Sequence, residues 1–576
     1  MAELSPDLRA RAEAWLAEDP DPATRAELQA LLDAGDADEL ADRFDERLAF
    51  GTAGLRGRLG AGPNRMNRAL VRRVTAGLAD RLVHGEDTAG GVVVIGRDAR
   101  HGSEAFAEDA TRVLAGAGVD VLVFEDPVPT PLVAFAVRHL GAAAGIVVTA
   151  SHNPPADNGY KVYLAGGRQI VPPVDAEISD AIDAVGPLAD VVVADADDPR
   201  IRPVPAEVEI AYREQVLGLV DPAGPRDLRI AYTALHGVAG DLATSILASA
   251  GFAAVHPVPE QHQPDPDFPT VAFPNPEEPG AMDAVIALAR QVDADLIRAN
   301  DPDGDRIAVA IPDGDGGWRM LTGDEIGVVL AEDVLARGAM ADGADPWVAT
   351  TVVSSSLLAD VAAHHGAGYV ETLTGFKWLS QQAERIADDG GRVVLSYEQA
   401  LGVSIGDVVR DKDGISAALA VADLAARLRG AGRGLDGLLD DLARRHGAHV
   451  TLGRSVLLDD TGEGDLGAEA LQRLRDTPPR DLGGSEVTEV WDHDAGVVTH
   501  VDGAIDQIDL PAQDLMRFVA ADGTRVMVRP SGTEPKLKFY GEAVVAADQD
   551  PDVARERAAE RVDAVLTAFM DHALAR

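Results

Sequence analysis

The chain has 576 residues, of which 51 are lysine or arginine and 96 are aspartate or glutamate, so its formal charge is −45. A chain this acidic does not suit nucleic acid or an anionic membrane surface, because both require a basic face. The absence of cysteine excludes disulfides, thiolate metal sites and cysteine nucleophiles. A hydrophobic share of 46% indicates a globular protein, long enough for about three to five domains.

The start of the chain predicts a cytoplasmic protein. The opening stretch MAELSPDLRARAEAW is amphipathic and acidic, and it lacks the basic and apolar regions of a secretory signal. No run approaches the roughly 18 consecutive apolar residues that a membrane-spanning helix requires. We therefore expect a soluble cytoplasmic protein with no membrane partner.

Residues 1–48 are predicted to form helices, with a break at Asp19-Pro20-Asp21-Pro22. After them, short apolar runs typical of strands alternate with alanine-rich helical segments. The first such strands are predicted at 91–95, 119–124 and 145–148, and the first such helices at 103–116 and 131–140. Strand–helix alternation of this kind predicts α/β layers with parallel strands.

The alternating pattern restarts twice, at 228–232 and at 346–350. The restarts predict three α/β domains, at about 49–222, 223–320 and 321–470. The last segment, 471–576, combines alternating strands at 486–491 and 496–501 with a closing helix at 551–575. It is predicted to be a smaller α+β domain.

Four loops contain the residue types of a catalytic site, and the first follows the predicted strand 145–148. It reads Thr149-Ala150-Ser151-His152-Asn153-Pro154, which places a serine at the carboxyl end of a strand, where open α/β sheets bind ligands. Ser151 could be a nucleophile or a carrier of a phosphoryl group. No G-x-S-x-G elbow surrounds it, which disfavours a hydrolase triad. An ordinary turn is the alternative.

The second loop runs from Asn300 to Arg306 and carries aspartates at alternate positions, Asp301, Asp303 and Asp305. Three clustered carboxylates repel one another unless a hard cation lies between them. An EF hand is disfavoured because the Gly-x₅-Glu continuation is missing: counted from Gly304, Ala310 stands where the bidentate glutamate is needed. Magnesium with open positions for a phosphoryl oxygen suits the loop better, and a solvated acidic turn is the alternative.

The third and fourth loops suit a sugar and a phosphate. Glu398, after the predicted strand 392–395, could accept hydrogen bonds from sugar hydroxyls, although a surface glutamate is the default interpretation. The stretch from Arg529 to Lys538 surrounds a glycine with hydroxyl and basic side chains, which is typical of an anion site. A fortuitous basic turn is the alternative. The sequence contains neither a Walker loop nor a dinucleotide-binding fingerprint.

Lysine is rare in this chain and confined to loops of this kind. The 46 other basic residues are arginine, and the lysines are Lys161, Lys377, Lys412, Lys536 and Lys538. A biased genome or salt adaptation could remove lysine from the surface. The lysines that remain then mark positions where a guanidinium does not easily replace an ammonium.

Taken together, the loops resemble the α-D-phosphohexomutase superfamily of phosphoglucomutases and phosphomannomutases. Further segments carry the resemblance, namely FGTAGLRG (50–57), NRMN (64–67), GRDAR (96–100), ALHG (234–237) and FPT with FPNPEE (268–278). The segments NGYKVY, LTGFKW and RPSGTEPKLKFY are most similar to the phosphoglucomutase-2/phosphopentomutase-like branch.

The resemblance implies three tandem α/β domains with mixed sheets and a C-terminal α+β domain like the TATA-box-binding protein, heart-shaped around a central cleft. It also implies an isomerase that moves a phosphoryl group between the C1 and C6 (or C5) hydroxyls of a sugar phosphate. A phosphoserine enzyme and a bound sugar 1,6-bisphosphate would be the intermediates, with Mg²⁺ as cofactor. The expected substrate is a glucose or mannose phosphate, and the expected enzyme is a monomer or dimer.

The resemblance also implies roles for individual residues. Ser151 corresponds to the phosphoserine and, with Asp301, Asp303 and Asp305, to the metal ligands. The other catalytic candidates are Lys161, Arg56, His152 and Lys412, with Lys161 the first choice for proton transfer. The substrate-binding candidates are Arg306, Lys377, Glu398, Gln399, Arg529, Ser531, Gly532, Thr533 and Lys538.

Two departures from the family pattern leave the sugar open. Ala400 stands where many relatives have a hydroxyl residue, and Val403 where bacterial phosphomannomutases have histidine. A phosphopentomutase and a sugar-1,6-bisphosphate synthase are therefore alternatives, as are a metal-dependent phosphatase and a phosphosugar-binding regulatory protein without turnover.

Overall fold

The computed structural model describes residues 4–51, 54–84, 91–338, 343–458, 466–531, 536–546 and 550–575. The chain forms two compact units. The first contains Met1–Leu321 and Gly402–Arg427, and the second contains Thr322–Leu401 and Leu428–Arg576. Among the described residues, no helix is both long enough and apolar enough to cross a bilayer.

Three helices open the first unit, as predicted: α1 (Pro6–Glu18), α2 (Pro22–Ala34) and α3 (Ala37–Phe44). Side-chain caps begin each helix, for example Asp21, whose carboxylate accepts a hydrogen bond from the Ala23 amide. Leu28, Leu40 and other apolar residues of the three helices pack into one small core.

The next layer is a seven-stranded mixed sheet in the order β1-β5-β4-β2-β3-β7, with β6 paired to β5. Its strands are β1 (Leu55–Arg58), β2 (Val93–Arg97), β3 (Val121–Val123), β4 (Ala144–Val148), β5 (Asp157–Leu164), β6 (Arg168–Gln169) and β7 (Ile201–Pro203). Its helices are α4 (Arg68–His84), α5 (Ser103–Gly116), α6 (Thr130–His139), α7 (Val174–Asp183) and α8 (Glu207–Leu217). Strands β2, β3, β4 and β7 are parallel, whereas β5 runs antiparallel to β4 and β1.

A second mixed sheet follows, in the order β12-β11-β10-β8-β9. Its strands are β8 (Arg229–Thr233), β9 (Ala254–Pro257), β10 (Leu296–Asn300), β11 (Ile307–Pro312) and β12 (Trp318–Met320), and its helices are α9 (Gly240–Ser249), α10 (Pro259–His262) and α11 (Asp283–Gln291). Because β10 and β11 form an antiparallel hairpin, the loop between them, 301–306, turns tightly at one sheet edge.

The third domain alternates strands and helices again. Its elements are α12 (Gly323–Arg337), β13 (Asp345–Thr351), α13 (Leu357–His365), β14 (Gly368–Thr372), α14 (Phe376–Asp388), β15 (Gly391–Glu398), β16 (Gly402–Ile405) and α15 (Gly414–Gly430). Strand β13 pairs in parallel with β14 and β15. Strand β16 and most of α15 belong to the first compact unit, where Gly402 bridges to Arg306.

The C-terminal part contains an antiparallel sheet in the order β17-β24-β23-β22-β19-β20-β21, with β18 paired to β19. Its elements are α16 (Leu435–His446), β17 (Ala448–Leu457), α17 (Leu466–Asp476), β18 (Asp481–Leu482), β19 (Ser485–Asp492), β20 (Val497–His500), β21 (Ile505–Gln507), β22 (Met516–Ala520), β23 (Arg525–Pro530), β24 (Lys536–Val545) and α18 (Pro551–Ala573). The predicted fold class, three tandem α/β domains followed by a C-terminal α+β domain, is confirmed.

Candidate active site

Ser151 lies at the carboxyl end of β4 in a conformation that is rare for serine. Its φ is +54°, in the left-handed region, and the residue is 2% exposed. The Ser151 amide donates a hydrogen bond to Thr149 Oγ1 at 2.8 Å, which tightens the turn. The Ser151 hydroxyl donates to Asp301 Oδ2 at 2.9 Å and lies 3.1 Å from His152 Nδ1. The serine thus faces the aspartate loop.

The three aspartates of the β10–β11 loop converge. One carboxylate oxygen from each of Asp301, Asp303 and Asp305 lies within 4.8 Å of the other two, and all three residues are buried. Burial, and then the carboxylates of Asp303 and Asp305, raise the pKa of Asp301 well above its usual value. Asp303 Oδ1 and Asp305 Oδ1 are buried with no hydrogen-bond partner among the described residues. Unpaired, buried and mutually repelling oxygens are the ligands that a divalent cation would satisfy.

Two lysines reach this cluster from different segments. Lys161 Nζ, from β5, lies 3.0 Å from Asp305 Oδ2 and 3.6 Å from Asp303 Oδ2. Lys412 Nζ lies 3.3 Å from Asp305 Oδ2 and 3.4 Å from Asp411 Oδ1. Burial alone would raise the pKa of Asp305, but Lys412, Lys161 and Arg306 outweigh it and lower that pKa. Asp305 is therefore ionised at neutral pH.

The remaining candidates of the first unit surround the same point. Burial, and then the charges of Arg306 and Arg56, lower the pKa of His152 well below its usual value, so that the imidazole is neutral at pH 7. Arg56 lies on β1, opposite Gly159 of β5, and its Nε is buried with no hydrogen-bond partner among the described residues. Arg306 Nε lies 4.0 Å from Asp305 Oδ1. Arg306 thus adds a third cation near Asp305, beside Lys161 and Lys412.

Two further residues, not predicted from the sequence, hold these side chains. Thr130, at the start of α6, donates its hydroxyl hydrogen bond to Asp303 Oδ2 at 2.8 Å. Asp411, beside Lys412, accepts one from the Tyr163 hydroxyl at 2.7 Å. The signals were weak: a threonine before a proline, and an aspartate beside a lysine that had already been singled out.

The second unit holds the candidates for binding the sugar. Glu398 Oε1, at the end of β15, accepts a hydrogen bond from the Gly375 amide at 2.7 Å, which joins two of the predicted loops. Lys377 is two residues after Gly375, and its Nζ lies 5.0 Å from the centre of the Trp378 ring. Gln399 Oε1 accepts a hydrogen bond from the Ser354 hydroxyl at 3.2 Å.

The candidates for binding a phosphate lie on neighbouring strands of the same unit. Arg529 of β23 is directly opposite Lys538 of β24. The Ser531 amide donates to the Lys536 carbonyl at 2.8 Å, at the turn end of this hairpin. Gly532 and Thr533 lie outside the described residues. The pairing places two cations side by side at one strand end, which suits an anion.

Comparisons with known proteins show the family of the chain. Models of the four phosphoglucomutase/phosphomannomutase domains match consecutive parts of the chain: alpha/beta/alpha domains I, II and III at residues 47–187, 211–315 and 322–446, and the C-terminal domain at 485–560. The chain belongs to the phosphoglucomutase/phosphomannomutase family. It is accordingly a phosphomutase of the α-D-phosphohexomutase superfamily, an isomerase.

Relatives of this phosphomutase are named after different substrates. It is 36% identical over 571 residues to the probable phosphoribomutase of Schizosaccharomyces pombe, covering 93% of this chain and 94% of that protein. It is 39% identical over 495 residues to the probable phosphomannomutase of Haemophilus influenzae, covering 84% and 95%. A phosphoglucomutase/phosphomannomutase family protein from Burkholderia thailandensis has the same fold, with a TM-score of 0.67 and 22% identity over 92% of this chain and 97% of that one.

Proposed function

We propose that this phosphomutase transfers a phosphoryl group between the C1 and C6 hydroxyls of a hexose phosphate through a phosphoserine at Ser151. The observation that carries the proposal is the hydrogen bond of 2.9 Å from the Ser151 hydroxyl to Asp301, within a buried cluster of three carboxylates flanked by lysines. A phosphoryl group on this hydroxyl would lie against both a metal site and an ammonium.

The metal is proposed to be Mg²⁺, held by Asp301, Asp303, Asp305 and an oxygen of the phosphorylated serine. The buried and unpartnered oxygens of Asp303 and Asp305 support the fit, because carboxylates are preferred ligands of this hard cation. When bound, the ion neutralises negative charge on the transferring phosphoryl group.

The reaction is proposed as two matched transfers. In the first, the P–O bond to Ser151 breaks while a free hydroxyl of the sugar monophosphate forms a new P–O bond, which gives a sugar bisphosphate. The proton of that hydroxyl passes to a base, for which Lys161 is the first candidate, and a proton returns to Ser151 Oγ. In the second transfer the other phosphoryl group of the reoriented bisphosphate moves to Ser151. Added sugar bisphosphate supplies the phosphoryl group that starts the cycle.

The remaining candidates are proposed to hold the substrate. Glu398 and Gln399 would accept hydrogen bonds from sugar hydroxyls, with Lys377 nearby. Arg529, Ser531 and Lys538, with Gly532 and Thr533, would bind the phosphate that is not being transferred. Arg306 would contact the phosphoryl group at Ser151, and fixed cations of this kind favour catalysis by positioning.

A pentose phosphate is the second candidate substrate, with transfer between C1 and C5. The relative in Schizosaccharomyces pombe that carries the name phosphoribomutase favours it, since the match spans 93% of this chain.

The predicted domain limits, the cytoplasmic location and the monomeric or dimeric state also remain proposals.

The test compares the wild type with Ser151→Ala on glucose, mannose and ribose 1-phosphates, with Mg²⁺ and the matching bisphosphate. We expect the variant to lose turnover and to retain no protein-bound phosphate after incubation with labelled bisphosphate. Ser245→Ala is the control, because within the described part of the chain its hydroxyl bonds only within α9 and to Arg213. Undiminished turnover in Ser151→Ala would overturn the proposal, and net phosphate release by the wild type would indicate a phosphatase instead.

A further inference from the structure

The loop that carries Ser151 is held in place by the buried side chain of Arg100, which has no role in the proposed reaction. Arg100 is 4% exposed and ends the GRDAR segment, three residues after the end of β2. Its guanidinium donates hydrogen bonds to four carbonyl oxygens of the serine loop: Ser151 and Asn153 at 2.6 Å each, Pro154 at 2.8 Å and Asp157 at 3.2 Å. One side chain thus joins the two ends of the loop.

This attachment matters because the conformation of Ser151 is strained. A non-glycine residue with φ near +54° has its Cβ crowded by its own backbone, and such a conformation persists only when the surroundings fix it. The amide of Ser151 is fixed by Thr149 and its carbonyl oxygen by Arg100. The backbone on both sides of the Cα is therefore held, and the hydroxyl is directed towards Asp301.

The guanidinium is itself held on two sides. Asp98 Oδ1 accepts a hydrogen bond from the Arg100 amide at 3.0 Å, and Asp98 Oδ2 lies 3.3 Å from Arg100 Nε. The Phe268 ring, from the FPT segment before β10, lies over the guanidinium at 4.9 Å. The neighbouring pair His101 and Asp267 is joined at 2.7 Å.

We infer that Arg100 is the positioning residue of the phosphoryl-carrying serine, with Phe268 as its cover. This inference rests on the proposed function of Ser151. Arginine suits the role because its planar fork offers five donors to acceptors spread along a loop, whereas lysine offers three from a single point. Because the buried Arg100 guanidinium donates to carbonyl oxygens of the serine loop, we expect its loss to affect the transfer step rather than substrate affinity.

The test replaces Arg100 by methionine and by lysine, and measures kcat, KM and the rate at which labelled bisphosphate phosphorylates Ser151. We expect Arg100→Met to lower kcat and the phosphorylation rate by about 100-fold with KM within about threefold, because small misplacements of a reacting group have effects of this size. Arg100→Lys should recover about tenfold of the loss, since it keeps the charge and part of the hydrogen bonding.

Arg226→Met is a matched control in the same unit. The Arg226 guanidinium also donates to three carbonyl oxygens, of Asp221, Pro225 and Ala250, pairs with Asp423 at 2.8 Å and lies 5.0 Å from a phenylalanine ring. Its loss should lower thermal stability as much as the loss of Arg100, but leave kcat within about twofold of the wild type, because it lies outside the serine loop.

The outcomes separate this inference from the proposed function. A wild type that turns over phosphosugars without phosphate on Ser151 overturns the proposed function. A wild type that is phosphorylated there, with Arg100→Met equally fast, overturns the inference alone. Should Arg100→Met fail to fold, Phe268→Leu decides, since removing the ring from the guanidinium should slow phosphorylation with KM unchanged, and an unchanged rate counts against the inference.

Discussion

Lysine and arginine have different functions in the first unit. Two of its arginines, Arg100 and Arg226, hold backbone carbonyl oxygens with their forked donors. Lysine is found where an ammonium meets a carboxylate of the acidic cluster, as Lys161 and Lys412 meet Asp305. An ammonium can release a proton near neutrality when its surroundings permit, whereas a guanidinium keeps its proton. We therefore propose that an ammonium is needed at these two positions because a guanidinium could not exchange a proton there.

Replacing Lys161 by arginine tests whether it moves a proton or only supplies charge. We expect Lys161→Arg and Lys161→Met to lower kcat alike, by about 10²- to 10⁴-fold, because neither side chain can exchange the proton of a sugar hydroxyl. Steady-state kinetics across pH 6 to 9 would measure this. Lys412→Arg, which keeps the charge beside the same Asp305, should remain within about tenfold of the wild type. Near-normal kcat in Lys161→Arg would show that only its charge matters.

Among the elements, α12 shows how helices of this fold depend on close packing. The helix begins at a capping box formed by Thr322 and Glu325, and most of its length is buried. Gly327, one turn further on, faces the ring of Tyr397 on β15, and a Cβ there would lie 2.3 Å from a ring carbon. The helix approaches β15 this closely only because glycine occupies the contact.

Two glycine-to-alanine substitutions in the second unit should therefore have opposite effects. Gly327→Ala should lower the free energy of unfolding by about 1–3 kcal/mol, because the new methyl group overpacks the contact with Tyr397. Gly437→Ala in α16, where the nearest atom to a new Cβ is 3.9 Å away, should raise it by about 0.5–1 kcal/mol through helix propensity. Thermal melts of both variants would compare them. A Gly327→Ala variant as stable as Gly437→Ala would contradict the packing argument.

The second residue of α12 gives stability a pH dependence. Asp324 accepts hydrogen bonds from the Ser355 amide at 2.7 Å and the Thr451 hydroxyl at 2.8 Å, and burial raises its pKa to about 6. In an unfolded chain this pKa is about 3.9, so the native state binds the proton more tightly. The resulting stabilisation is complete below pH 4 and is lost as the pH rises through 6.

Asp324→Asn, which cannot ionise, should remove this dependence. Between pH 4 and pH 7 the wild type should lose up to about 2–3 kcal/mol of stability relative to the variant, since each pKa unit corresponds to about 1.4 kcal/mol. Chemical unfolding at several pH values would measure the difference. Glu469→Gln, at an exposed carboxylate of α17, should run parallel to the wild type. A constant gap between wild type and Asp324→Asn would refute the assigned shift.

For the whole molecule, the dominant quantity is the formal charge of −45. Such a charge keeps copies of the protein apart in solution, and it also destabilises each folded copy by self-repulsion. Lys161 and Lys412 lie at the acidic cluster, and Arg529 and Lys538 lie on the β23–β24 hairpin. These cations are the proposed contacts for an anionic substrate. We expect the acidic surface to affect solubility and the local cations to attract the substrate.

Salt should therefore stabilise the protein. The melting temperature should rise between 10 mM and 1 M KCl, because the Debye length falls from about 30 Å to about 3 Å and screens repulsion across the surface. Scanning calorimetry in KCl and in NaCl would measure the effect, and equal shifts in the two salts would assign it to screening. An unchanged or lower melting temperature in molar KCl would contradict it.

Much of the architecture follows from local patterns. The helix predicted at 103–116 is α5 as observed, and the strand predicted at 145–148 differs from β4 by one residue. The loops after β4 and β10 were found from composition, since serine, proline, glycine and aspartate concentrate there. The resemblance of the motifs predicted the family, and the matches to the four domain models confirm it.

The pairings within the site could not be read from the sequence in the same way. Arg100 lies about 50 residues from the carbonyl oxygens it holds, and Tyr163 lies 248 residues from Asp411. Likewise, β17 pairs with β24 across the whole C-terminal domain. The type of a side-chain donor does not identify its partner, because that partner depends on how the sheets assemble.

By itself, the sequence determined the fold class, the family and the loops that hold the chemistry, because periodicity and turn composition act over a few neighbouring residues. The tertiary structure decided that Lys161 and Lys412 share one carboxylate, that Ser151 is held in a left-handed conformation, and that a buried arginine supports it. These contacts join segments that are distant in sequence, and only the packed sheets bring them within hydrogen-bond distance.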